Sequence, residues 1–93
     1  MLKIELVPTL SQCIETVAKR EYLETVQKLL FAEEVSNKLK EKAGILRLFI
    51  EAADFRKLRA QSEAHLLRGE RIRFLVYLEG NTVKYDAYPG ATA

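Results

Sequence analysis

Residues 71–88 read Arg71-Ile72-Arg73-Phe74-Leu75-Val76-Tyr77-Leu78-Glu79-Gly80-Asn81-Thr82-Val83-Lys84-Tyr85-Asp86-Ala87-Tyr88. Ile72, Phe74, Val76 and Leu78 alternate with Arg71, Arg73, Leu75, Tyr77 and Glu79, the period of a strand with one buried face. Gly80-Asn81 predicts a two-residue hairpin turn, because glycine reaches the positive φ that such turns need. Val83, Tyr85 and Ala87 then alternate with Thr82, Lys84, Asp86 and Tyr88. Pairing Glu79 with Thr82 places Leu78 opposite Val83, Val76 opposite Tyr85 and Phe74 opposite Ala87. Both apolar sets then share one face, so register and burial agree. Residues 89–93 are expected to form a flexible tail, with 1–88 as a single domain.

Upstream, Leu2, Ile4 and Leu6 predict a short strand over 2–7, stopped by Pro8. Thr9 and Gln12 have the spacing of a capping box, so a helix is expected to begin there. From Leu10 to Ala43 there is no Pro or Gly, and apolar residues recur at helical spacing. The stripe shifts phase near residues 20–22 and again near 31–34, which predicts a bent helix or two helices meeting near residue 31. Gly44 is the expected C-terminal cap, with Lys40 and Lys42 favourable in the last turn. Residues 45–68 read as one helix by summed propensity, although Leu46, Leu48 and Ile50 also alternate as a strand would, and Asp54 has the chemistry of a later helix cap. The fold class expected is α+β: a short antiparallel sheet, made of an N-terminal strand and a C-terminal hairpin, covered on one face by two or three helices. Its expected core is Leu2, Ile4, Leu6, Ile14, Val17, Val26, Leu30, Phe49, Phe55, Leu58, Ile72, Phe74, Val76, Leu78, Val83 and Tyr85.

The chain has 93 residues, 48% hydrophobic and 30% charged, with a formal net charge of +2. That composition suits a single globular domain and excludes a disordered or collagen-like chain. No uncharged run approaches the roughly 20 residues that span a bilayer. No apolar stretch of signal-peptide length opens the chain, and its one cysteine speaks against a disulfide framework. A cytoplasmic location is therefore expected.

Catalytic constellations are scarce. Cys13 falls on an apolar helical stripe and reads as a buried small hydrophobe. His65, the single histidine, reads as a helix-end residue favoured by the dipole. The carboxylate pairs Glu33-Glu34 and Glu21/Glu24 lie among lysines and read as solvated ion-pairing positions. No phosphate-binding glycine loop, dinucleotide fingerprint, zinc-protease motif or nucleophile elbow occurs. No catalytic residue, cofactor or metal site is therefore expected, and the chain is read as non-enzymatic.

Charge is unevenly distributed. Residues 1–43 carry seven basic and seven acidic side chains, whereas 56–73 carry six basic and two acidic, a net of +4. On the outer hairpin face, Tyr77 falls opposite Lys84 and Arg73 opposite Tyr88. Cross-strand pairs of this kind stabilise a sheet by themselves. They also suit a protein interface, where Tyr and Arg are enriched, or unpaired nucleic acid, where cations meet phosphates and Tyr stacks on bases. Arg71, Arg73, Tyr77, Lys84 and Tyr88 are the candidate interface or nucleic-acid residues. The expected function is a small interaction domain that associates with itself as a dimer, with nucleic acid as the alternative partner.

The opening strand Met1–Leu6, the helices after it, and the basic strand Arg71–Glu79 turning at Gly80-Asn81 into Thr82–Tyr88 resemble the RelE/ParE-type toxins of toxin–antitoxin pairs. Over about a third of the chain that likeness implies a small endoribonuclease or a gyrase poison, with Arg71, Arg73, Lys84 and Tyr88 as the site residues in the ribonuclease case. The single hairpin and the long helical portion 9–68 depart from that family's longer meander.

Overall fold

The computed structural model describes residues 1–31 and 36–92. Among them the chain order is β1 (Ile4–Leu6), α1 (Ile14–Phe31), α2 (Asn37–Ala52), α3 (Phe55–Leu66), β2 (Glu70–Glu79) and β3 (Thr82–Thr92). The strands form one antiparallel sheet in the order β1-β2-β3. This is an α+β fold with an N-terminal strand, a C-terminal hairpin, and helices on one sheet face.

The hairpin follows from its turn. Gly80 has φ +63° and no other residue of the turn has a positive φ, the pattern of a tight hairpin that starts on glycine. The register then runs from Glu79 opposite Thr82 to Ile72 opposite Pro89, and it includes Phe74–Ala87, Val76–Tyr85 and Leu78–Val83 as expected. An irregularity between Glu70 and Ile72 lets β3 continue to Thr92, where the sequence suggested a tail from residue 89. The physical basis is a close backbone approach at Gly90, whose missing Cβ would lie 3.3 Å from the Arg71 Cβ.

The helices depart from the sequence reading in three places. Thr9 and Gln12 do bond to each other, the Gln12 N–H donating to the Thr9 hydroxyl at 3.1 Å, but they close a turn and not a helix. The first α-helical bond runs from the Val17 N–H to the Cys13 carbonyl, so α1 starts four residues later than expected. Gly44 is interior to α2, whose N-cap is Ser36 and whose chain runs on to Ala52. Residues 45–68 form two helices instead of one: Ala53 turns extended (ψ 138°), and the Asp54 carboxylate accepts from the Lys57 N–H at 3.3 Å to start α3. A side-chain cap here outweighs propensity summed across the break. Val35, the Glu33-Glu34 pair and the phase shift after Phe31 lie outside the described residues.

The core gathers Ile4, Leu6, Ile14, Val17, Ala18, Ile45, Leu46, Phe49, Leu58, Ile72, Phe74 and Val76. Each large side chain fully buried in it contributes about 1.5–3 kcal/mol. Leu30, expected there, is 72% exposed, while its neighbour Leu29 is half-buried. Tyr85 is also only partly covered. Its ring meets Phe49 and Phe74 edge-on at 6.0 and 6.2 Å, yet it remains 40% exposed at the sheet margin.

Candidate functional site

The face of the sheet away from the helices is open, and β2 and β3 position the candidate residues on it by simple alternation. Arg71, Arg73, Leu75, Tyr77 and Glu79 come from β2, and Thr82, Lys84, Asp86 and Tyr88 from β3. The pairs foreseen from the turn are present, with Tyr77 opposite Lys84 and Arg73 opposite Tyr88. The β1 register, Glu5 opposite Leu75, adds Lys3, Glu5 and Val7 to the same face.

These side chains engage one another. The Arg73 guanidinium donates to the Glu5 carboxylate at 3.0 Å and lies 5.3 Å from the centroid of the Tyr88 ring. The Lys3 ammonium sits 5.1 Å from the centroid of the Tyr77 ring. Lys84 lies 3.6 Å from Glu79 across the turn. Asp86 lies beside the Tyr77 hydroxyl, and its proximity raises the phenol above its ordinary pKa. Of the candidate cations, Arg71 alone makes no ion pair among the described residues. It borders a shallow hollow of about 660 Å³ whose walls include Glu5, Arg73, Tyr88 and Pro89.

The sequence reading placed Arg71, Arg73, Tyr77, Lys84 and Tyr88 together, and the sheet does so. It missed the acid paired with Arg73, Glu5, and the second cation on an aromatic ring, Lys3. Asp86 was legible from alternation. Glu5 and Lys3 required the β1–β2 register, which no local turn sets.

The residues weighed for chemistry lie elsewhere. Cys13 is half-buried at the start of α1, not in the core, and its sulfur is 3.3 Å from the Thr16 hydroxyl. That hydrogen bond lowers the thiol pKa, with the Arg59 charge adding to it. His65 stands near the end of α3 as expected, and its Nδ1 lies 2.7 Å from Glu70, at the start of β2. Arg68 also donates to Glu70 at 3.0 Å, and the two partners hold the Glu70 carboxyl down at about 2. Glu21 pairs with Lys42, a structural contact between α1 and α2. Among the described residues, no three His, Cys, Asp or Glu side chains converge as metal ligands, and no helix is long and apolar enough to cross a membrane.

No curated protein and no solved structure matches the chain. A family model matches residues 2–84, and the chain belongs to that uncharacterised family.

Proposed function

We propose that this member of the family is a small, non-enzymatic interaction domain of the reducing cytoplasm that associates with itself through its sheet. The observation that carries this reading is the state of the candidate cations. Arg73 is paired with Glu5 and lies against Tyr88, Lys84 is 3.6 Å from Glu79, and Asp86 sits beside Tyr77, which leaves Arg71 as the one candidate cation without an ion pair among the described residues. A phosphate contact releases counterions from the nucleic acid, but a cation already paired with a carboxylate must first give up that partner. Here acids are interleaved with the bases, as on a protein interface with a polar rim. The exposed aromatic surface of the sheet is concentrated on β3, with Tyr88 on the open face and Tyr85 on the helix-side face, each 40% exposed. Association of two copies would cover both.

The reading is tested by sedimentation equilibrium at low and high salt, beside fluorescence anisotropy with a labelled single-stranded oligoribonucleotide. The expected result is a dimer that persists in high salt and an affinity for RNA that stays at a nonspecific level. A monomer that binds RNA with a steep salt dependence, flattened by about 1–2 units on replacing Arg73 and Lys84 with Ala, would instead establish the nucleic-acid or ribonuclease alternative.

A further inference from the structure

β3 is the longest strand of the sheet, and its outer side has no neighbouring strand among the described residues. A long free edge offers unpaired N–H and C=O groups to any strand that fits beside it. The sequence of β3 fits itself. Resting on the self-association proposed above, we infer that two copies join by antiparallel pairing of β3 with β3, about a twofold axis at Tyr85, into one six-stranded sheet.

The register follows from face and charge. For the helices of both copies to lie on one side, opposed residues must belong to the same face, so the axis passes through a residue position and moves in whole residues. With the axis at Tyr85, Lys84 of each copy faces Asp86 of the other, Thr82 faces Tyr88, and Val83 faces Ala87. Moving the axis to Lys84 sets that lysine against its own copy, and moving it to Asp86 sets the aspartate against its own copy. Opposite charges directly across a ladder stabilise it and like charges destabilise it, so the Tyr85 axis is favoured over both neighbours.

Two further features agree with it. Tyr85 lies on the helix-side face against Phe49, yet is 40% exposed, and the second copy's Tyr85 would cover the bare side of the ring. Pro89, which has no N–H to donate, falls opposite Asn81 in the turn, beyond the last rung of the new ladder. The present partner of Lys84 does not oppose the exchange: its contact with Glu79 is long, at 3.6 Å, and both side chains are about half exposed.

The test is a charge swap read by sedimentation equilibrium, with a thermal melt of each variant to confirm folding. Lys84→Asp and Asp86→Lys should each raise the dimer dissociation constant by about tenfold or more, since symmetry turns two attractions into two repulsions. The double variant Lys84→Asp/Asp86→Lys should return it to within about threefold of the parent. A second measurement uses exposed positions: in a Cys13→Ser background, Thr82→Cys with Tyr88→Cys should give a disulfide-linked dimer on mild oxidation. Within one chain these two positions are too far apart to bridge. A parent dimer that ignores the swaps and forms no cross-link leaves self-association standing and overturns the edge pairing. A parent that stays monomeric at every concentration reached overturns both.

Discussion

The Lys42 ammonium lies 2.6 Å from the Glu21 carboxylate, and the pair ties α2 to α1 across 21 residues of sequence. Both side chains are only about a quarter to a third exposed, so water screens the pair less than the i,i+4 pairs of the helix surfaces, such as Arg47–Glu51. Glu21→Gln should cost about 1 kcal/mol and lower the melting temperature by about 4–8 °C, whereas Glu51→Gln should cost less than about 0.5 kcal/mol. A double-mutant cycle with Lys42→Met measures the coupling directly. A coupling no larger for Glu21–Lys42 than for Glu51–Arg47 would contradict this expectation.

Phe49 joins the helical layer to the sheet. It is 1% exposed, with its ring edge-on to Phe55 at 5.7 Å and to Tyr85 at 6.0 Å. Phe49→Ala should cost about 3–5 kcal/mol, close to the whole stability of a domain this small. Phe49→Leu, which keeps most of the volume, should cost about 1.5 kcal/mol or less. Urea titration followed by circular dichroism separates the two, and similar midpoints for both variants would remove Phe49 from this central position.

Cys13 should react with iodoacetamide in the native protein, at lower pH than an unperturbed thiol. The Thr16 hydroxyl bond is the larger cause and the Arg59 charge a smaller one. Thr16→Val should therefore move the pH midpoint of alkylation upward more than Arg59→Gln does. Labelling that requires denaturant would return Cys13 to the buried role that its helical spacing suggested.

The sequence made the hairpin register legible because the Gly80-Asn81 turn fixes it locally, and every downstream pair from Leu78–Val83 to Phe74–Ala87 follows. The same reasoning brought the candidate residues of β2 and β3 onto one face. The β1 register was not legible. More than sixty residues separate β1 from β2, and no local turn sets Glu5 opposite Leu75. That is why the acid neutralising Arg73 escaped notice. The break at Ala53-Asp54 carries neither Gly nor Pro. Asp54 announced a cap, but the strong helix formers on both sides masked it. Ile45, Leu46 and Phe49 are buried at the i, i+1, i+4 spacing of a helix face, which the alternation of Leu46, Leu48 and Ile50 obscured in the sequence.

Glu70 gives the fold an acid-sensitive joint between α3 and β2. Arg68 and His65 both bond its carboxyl, which moves from an ordinary 4.5 to about 2. Because the folded state holds this group below its unfolded value, its contribution is fully present above about pH 4.5. That contribution is lost progressively as pH falls from there through about 2. In that window the unfolded chain binds the proton first, so acid draws the equilibrium toward unfolding. Glu70→Gln cannot titrate and should therefore lose stability at neutral pH while showing a flatter decline between about pH 4.5 and pH 2. Arg68→Gln removes the larger of the two causes and should shift the acid limb toward higher pH without abolishing it. Urea midpoints measured across this range for the parent and both variants read the difference. Parallel acid limbs for the parent and Glu70→Gln would show that other carboxylates govern the acid response and that the His65–Glu70–Arg68 cluster is not its source.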